Sequence, residues 1–144
     1  MENDFASTFK ELVNLDQNAV EAYEMAINRL KNDVYKSEFV KFKEEHQQHI
    51  EAIITILKNH GISEHFNSST SKKQLLPKGK AVITNLTRDN SILLAIISNE
   101  IDIIDAYNFA YSKAGGWKDT EDILKHIIDD EKRHKNWLEN IMVK

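Results

Sequence analysis

The sequence predicts an all-α protein of 144 residues, built as a bundle of four long helices. Helix-breaking residues are scarce, with four Gly and one Pro, and residues 1–60 contain neither. Within the uninterrupted segments apolar residues recur at steps of three and four, which is the helical period. Long segments without turn residues leave no room for the frequent turns of an all-β protein.

The first sixty residues predict a helical hairpin. A single helix of this length would be about 90 Å long at about 1.5 Å per residue, so we expect the chain to fold back once. Asn32-Asp33 is the natural break, with Asn32 as the C-cap of one helix and Asp33 as the N-cap of the next. We therefore predict helices over 4–31 and 34–60, the second followed by Gly61 at its C′ position.

The last third of the sequence predicts a second hairpin. Gly115 and Gly116 interrupt an otherwise continuous helical pattern and mark its turn. We predict helices over 89–114 and 119–142, with Asp119 as the N-cap of the last helix.

These elements form one predicted domain over residues 1–144, in which a long crossover joins two antiparallel hairpins. The hairpins cover about 4–60 and 89–142, and the crossover covers about 61–88. A connection of about 28 residues can run the length of a bundle, as it must if the second and third helices are parallel. Apolar residues within 75–87 predict a short helix there, namely Leu75, Leu76, Val82, Ile83 and Leu86.

Composition excludes several classes of function. The absence of Cys excludes a disulfide scaffold, a thiol nucleophile and a Cys-type zinc site. A formal charge of −4 with no basic tail argues against a nucleic-acid partner, and we read the basic crossover as a solvated connection. The longest apolar run, residues 92–97, is too short to span a membrane, and the acidic N-terminus lacks a signal-peptide layout. We therefore expect a cytoplasmic protein.

Each predicted helix has an inward stripe that is apolar except at one level. In the third helix, for example, the stripe is Leu93, Ile97, Glu100, Ile104, Tyr107 and Tyr111. Across the four helices the exceptions are three carboxylates and three imidazoles: Asp16, His46, His49, Glu100, Glu131 and His134.

The six polar residues lie at matching depths in the two hairpins. Residues equally far from the turn of an antiparallel pair lie at the same height. Asp16 and His49 are each about 16 residues from the first turn, and Glu100 and Glu131 are each about 15 from the second. The six should therefore meet in one layer at mid-bundle, within about one helical turn of each other.

The two halves of the sequence repeat this pattern. In each half a carboxylate precedes a Tyr by seven residues and a His by 33 or 34. The matched residues are Asp16, Tyr23 and His49 in the first half and Glu100, Tyr107 and His134 in the second. The hairpins are thus two copies of one ligand-bearing unit, related by a pseudo-twofold axis. The two tyrosines could bond the carboxylates or serve as plain core aromatics.

Such a layer needs compensating positive charge, because an isolated buried carboxylate is costly and tends to protonate. Protonated histidines within a hydrogen-bonded layer could supply that charge. Divalent cations supply it more naturally, since carboxylates and neutral imidazoles are ligands for iron, manganese and zinc. We favour a metal site, with the hydrogen-bonded layer as the alternative.

The motifs resemble the ferritin-like superfamily, in particular its rubrerythrin-type members. Glu100 matches the glutamate of their third helix, and Glu131-x-x-His134 matches the motif of their fourth. The segments LDQNAVEAYEMAI, FKEEHQQH, NEIDIIDAY and DDEKRHKNWL are similar to a group of uncharacterised bacterial ferritin-like proteins, over nearly the whole chain.

The resemblance implies a site for two metal ions, iron above all, with manganese or zinc as alternatives. We expect Glu131 to bridge the ions. The expected terminal ligands are Asp16, His49, Glu100 and His134, with His46 as an extra ligand on the side of the first two helices.

Two positions depart from the superfamily pattern. Asp16 stands where the pattern has Glu, and its side chain is one methylene shorter. His46 also stands in place of a Glu, and an imidazole cannot bridge two ions as a carboxylate does. Glu45 is adjacent and could swing in as a ligand in its place, although it lies about 100° around the helix from His46.

The implied activity is an oxidoreductase or ferroxidase acting with dioxygen or peroxide. Without rubredoxin-like cysteines, electrons would come from an external donor. The alternative is a non-catalytic metal-binding or stress-associated interaction module with a degenerate site, so the sequence leaves catalysis open. A homodimer is compatible with the broad apolar surface of the third helix, which residues 75–86 could cover instead.

Overall fold

A computed structural model describes residues 2–62, 88–114 and 117–143, and these residues form four α-helices without any strand. The helices are α1 (Glu2–Arg29), α2 (Asp33–Asn59), α3 (Asp89–Lys113) and α4 (Lys118–Val143). The prediction of an all-α four-helix bundle is therefore confirmed. None of the described helices carries an apolar stretch long enough to cross a bilayer.

The helices pack in antiparallel pairs, α1 with α2 and α3 with α4. On α2 and α4, Glu45 contacts Arg133 and His49 contacts Asp130, so these two helices are antiparallel as well. It follows that α2 and α3 run in the same direction, as the long crossover predicted. The short helix predicted within 75–87 lies outside the described residues.

The turn between α1 and α2 differs from the predicted capping. Asn32 is the N-cap of α2, and its side chain accepts a hydrogen bond from the N–H of Tyr35 at 3.1 Å. Asp33 is the first residue of α2, where its charge favours the positive end of the helix dipole. The backbone N–H groups of Lys31 and Asn32 donate to Asp89 at the start of α3, at 2.9 and 3.1 Å. Asp89 thus ties the second hairpin to the turn of the first.

The other two predicted helix ends have different outcomes. After α2 the N–H of Gly61 bonds the carbonyl of Lys58 and that of Ile62 bonds the carbonyl of Leu57. With a φ of +78° at Gly61, this is the predicted glycine-terminated helix end. The predicted N-cap of α4 is wrong by two residues. The helix begins at Lys118, and it is the carbonyl of Trp117 that accepts from the N–H of Glu121.

The predicted stripes are buried along nearly all of their described length. Tyr111 is the clear exception, with 40% of its surface exposed. From Tyr107 the buried face instead takes a step of three to Ala110. A step of four then leads to Ala114, the C-cap residue after α3.

Two apolar clusters fill the bundle, one on each side of the polar layer. The cluster near the α1–α2 turn is rich in aromatic residues and includes Tyr23, Phe39, Phe42, Leu93 and Leu138. The cluster at the opposite end is mostly aliphatic and includes Leu12, Ile53, Ile56, Ile103 and Ile127. Both clusters keep water away from the layer between them.

We expect Asp89→Ala to lower the free energy of unfolding by about 1–2 kcal/mol, because it removes the acceptor of two backbone N–H groups. Asn90→Ala, at the exposed neighbouring position, is the matched control. Urea unfolding of the two metal-free variants measures the difference. Equal stabilities would contradict the role given to Asp89.

Candidate metal centre

The structure brings all six predicted polar residues into one layer at mid-bundle. Each of them is between 0 and 3% exposed. Two come from α2, two from α4 and one each from α1 and α3, so every helix contributes to the layer. This is the layer defined by Asp16, His46, His49, Glu100, Glu131 and His134.

The layer contains two overlapping groups of possible metal ligands. Within each group one ligand atom per residue lies within 4.8 Å of every other. The His49-side set is Asp16, His46, His49 and Glu131, and the His134-side set is His46, Glu100, Glu131 and His134. The two shared residues, His46 and Glu131, lie between the sets. The layer therefore has the shape of two neighbouring cation positions.

Unsatisfied ligand atoms fit a cation at this place. Both carboxylate oxygens of Glu131, Oε1 of Glu100 and Nδ1 of His49 are buried without a hydrogen-bond partner among the described residues. Nδ1 of His49 lies 3.0 Å from Oε1 of Glu131, so two unsatisfied atoms face each other. Such groups are rare in protein interiors, since each loses its hydration without replacement. Carboxylate oxygens and imidazole nitrogens are also the donors that iron, manganese and zinc accept.

The two tyrosines of the sequence repeat hydrogen-bond the carboxylates of the opposite hairpin. Tyr23 on α1 donates to Glu100 on α3, and Tyr107 on α3 donates to Asp16 on α1. Because α1 and α3 are antiparallel and the Tyr follows the carboxylate by seven residues in each helix, each Tyr lies at the height of the carboxylate on the other helix. The structure thus selects the hydrogen-bonding role that the sequence had left open.

Two further carboxylates hold the outer faces of the terminal histidines. Oε1 of Glu45 lies 2.6 Å from Nε2 of His134, and Oδ2 of Asp130 lies 2.9 Å from Nε2 of His49. Arg133 joins the two carboxylates, at 2.6 Å from Glu45 and 3.0 Å from Asp130. A carboxylate on the outer nitrogen fixes the ring and leaves Nδ1 facing inward.

Sequence reasoning missed Asp130 and considered Glu45 only as a direct ligand. A signal was nonetheless present in the repeat. Glu45 immediately precedes the motif His46-x-x-His49, and Asp130 immediately precedes the motif Glu131-x-x-His134. Because the two motifs face each other on antiparallel helices, each preceding carboxylate reaches the terminal His of the opposite motif.

The comparisons with known proteins agree with this architecture. A family model described as "Domain of unknown function (DUF892)" matches residues 1–144. The chain belongs to this family. DUF892 is part of the ferritin-like superfamily, so the resemblance drawn from the motifs is confirmed at that level. No curated protein matches this DUF892 chain.

Within the layer of this DUF892 chain, His46 lies between two carboxylates and can act as their counter-ion. Its Nδ1 lies 2.7 Å from Asp16, and its Nε2 lies 3.3 Å from Glu100. Burial lowers the pKa of His46, but the charges and hydrogen bonds of Glu100 and Asp16 outweigh burial and raise this pKa to about 10. Burial likewise raises the pKa of Asp16, yet its hydrogen bond to His46 helps to bring this pKa below the usual value.

The other two carboxyl groups of the layer shift in opposite directions. Burial raises the pKa of Glu100, but the charge of His46 and its hydrogen bonds outweigh this effect and hold the pKa well below the usual range. Burial raises the pKa of Glu131, and the nearby charges of Glu100 and Asp16 raise it further. These directions favour a cationic His46 beside the carboxylates of Asp16 and Glu100, and they favour the protonated form of Glu131.

We expect the metal-free protein to lose stability as the pH rises from 7 to 9. The unfolded chain releases the proton of His46 above its ordinary pKa of 6.5, whereas the folded chain keeps it until about pH 10. The free energy of unfolding then falls by about 1.4 kcal/mol per pH unit for each proton that only the folded chain retains. The raised pKa of Glu131 acts in the same direction.

Chemical unfolding in the presence of a chelator measures this slope. His126→Gln, at an exposed site on α4, should keep the slope of the unmodified chain. A stability that stays constant or rises over this pH range would contradict the charge assignment.

Proposed function

We propose that this chain is a di-metal protein that holds two iron ions in the polar layer, one in each ligand set. Asp16, His46 and His49 would hold the first ion, and Glu100 and His134 the second, with Glu131 bridging the two. The observation that carries the proposal is Glu131 itself, which is buried at 0% exposure with both oxygens unpartnered and belongs to both sets.

The geometry supports assigning His46 to the His49-side set. Its Nδ1 lies near Asp16 at 2.7 Å and Glu131 at 3.4 Å, both members of that set. Its Nε2 lies 3.3 Å from Glu100 and would donate a hydrogen bond there. The imidazole is then neutral and binds one ion, while its second nitrogen orients a ligand of the other.

The activity that we propose for the loaded protein is that of an oxidoreductase or ferroxidase. Bound iron would supply the electrons that reduce dioxygen or peroxide. The chain contributes a dry layer between two apolar clusters and two buried tyrosines that orient Asp16 and Glu100. Burial, followed by the charge of the bonded carboxylate, raises the pKa of both tyrosines, so each stays a hydrogen-bond donor. An external donor would restore the electrons, since the sequence contains no Cys.

One observation favours a second candidate, a metal-binding module without catalysis. His46 can offset part of the charge of Asp16 and Glu100 without any metal, and it replaces one of the expected bridging carboxylates. In this case the ions would act by binding only the folded state, which stabilises it in proportion to metal concentration.

We expect Glu131→Gln to abolish metal binding while leaving the metal-free fold at least as stable. The amide has the shape of a protonated carboxyl group, the form that the raised pKa of Glu131 favours, but it cannot serve as an anionic bridge. Asp129→Asn, an exposed change on the same helix, is the matched control.

Elemental analysis after growth with iron, manganese or zinc measures the bound metal, and thermal unfolding of the stripped proteins measures stability. Full metal content in Glu131→Gln would overturn the bridging role. Metal contents well below one per chain in all unmodified samples, including protein reloaded anaerobically, would overturn the di-metal proposal.

We expect anaerobic protein loaded with Fe²⁺ to oxidise its iron faster than free Fe²⁺ does when oxygen or peroxide is added. Rapid-mixing absorbance in the near ultraviolet follows the reaction, with Asp129→Asn as control and Glu131→Gln as the inactive comparison. Oxidation no faster than that of free Fe²⁺, together with a large metal-dependent rise in Tm, would support the non-catalytic module instead.

A further inference from the structure

A surface cavity of about 360 Å³ lies between α2 and α4 and ends at the polar layer. His49, a member of the proposed metal centre, forms part of its wall. The polar and small residues that line it include Gln48, Ala52, Asp122, His126 and Asp130.

Possible cation ligands lead from the mouth of this cavity to its floor. Asp122, His126 and Asp130 are four residues apart on α4 and therefore share one face of the helix. Nε2 of His126 lies 3.6 Å from Oδ2 of Asp130, and the same oxygen lies 2.9 Å from Nε2 of His49. Side-chain exposure falls along this series from 78% at His126 to 17% at Asp130 and 4% at His49.

The pseudo-twofold axis relates the two α2 residues of this lining to larger residues of α4 on the opposite side of the centre. The position equivalent to Ala52 is Trp137, and the position equivalent to Gln48 is Arg133. Trp137 packs edge-on against Phe42 at 5.6 Å, and Phe42 stacks on His134 at 4.1 Å. Trp137 and Phe42 thus pack over His134, whereas the smaller Ala52 lines the cavity beside His49.

We propose that this cavity is the entrance through which a divalent cation reaches the metal centre, arriving first at the His49-side set. Asp122, His126 and Asp130 pass the cation inward as transient ligands. Asp130 then remains bonded to the outer nitrogen of His49. This inference rests on the proposed di-metal function, but it concerns the rate and side of entry rather than the final ligands.

A second cavity of about 480 Å³ provides an internal comparison. Ser7, Glu11, Asp105 and Phe109 are among the residues that line it, between α1 and α3. It includes no member of the metal centre. A carboxylate removed there changes the charge of the protein without touching the proposed entrance.

The first test fills the entrance with the side chain found at the equivalent position, as Ala52→Trp. Metal-free protein is mixed rapidly with Co²⁺, and visible absorbance reports the exchange of water for protein ligands. Chelator is then added to loaded protein to measure release. We expect uptake and release both to slow by about tenfold, with the Kd unchanged, because a blocked passage raises the barrier equally in both directions.

The second test keeps the cavity open and removes its outer ligands, as Asp122→Asn with His126→Gln. Both residues are exposed, so the fold is retained even if Ala52→Trp does not fold. We expect Co²⁺ uptake to slow by about threefold to tenfold, through the loss of transient ligands and local negative potential. Asp105→Asn carries the same loss of a carboxylate in the other cavity and should keep the uptake rate of the unmodified chain.

The outcomes separate the entrance from the centre. The entrance proposal would be wrong if the double variant and any folded Ala52→Trp protein took up Co²⁺ as fast as the unmodified chain. If both also bound the normal amount of Co²⁺ at equilibrium, the di-metal proposal would stand. Slower uptake that is equal in the double variant and in Asp105→Asn would also overturn it. Failure of the unmodified chain to bind Co²⁺ at equilibrium would overturn both proposals.

Discussion

Compensation of charge in a dry layer is the constraint on which the rest of this bundle depends. Six titratable side chains lie at mid-bundle with at most 3% exposure, and water cannot offset their cost. The chain offsets that cost with donors of its own, among them Tyr23, Tyr107 and the cationic His46. The unpartnered oxygens of Glu131 remain, and they are the strongest argument for a cation.

The antiparallel register of the helices determines how these partners meet. Each half of the sequence carries the same units, and several of their contacts cross between the halves. Tyr23 on α1 donates a hydrogen bond to Glu100 on α3, and Glu45 on α2 contacts Nε2 of His134 on α4. Because each hairpin supplies partners that the other lacks, neither half satisfies all of its polar residues alone. We therefore expect folding of the two hairpins to be cooperative.

The sequence was sufficient to predict the features that depend on local pattern. The helical period predicted the four helices and the buried layer, and Gly61 predicted the end of α2. The features it did not predict depend on residues far apart in the chain. Asp89 lies 57 residues after the turn it binds, and Asp130 lies 81 residues after His49. The periodicity of one helix predicts the face on which a residue lies, but not which residue of another helix it will contact. The position of Glu45 around α2 therefore did not reveal its contact with His134.

The presence of His46 in place of a carboxylate bears on both candidate functions, because it changes the charge of the layer and also its set of possible metal ligands. With Glu at this position the layer would hold four carboxyl groups and would lose the cation that now faces Asp16 and Glu100. Such a layer would depend on metal for its stability. His46 supplies an internal cation instead, so the bundle can fold before metal arrives. The same residue removes a bridging ligand and must lose a proton before it binds an ion. The chain thus combines partial internal compensation by His46 with a less symmetrical site, and the proposed entrance lies on the side that His46 would help to ligate.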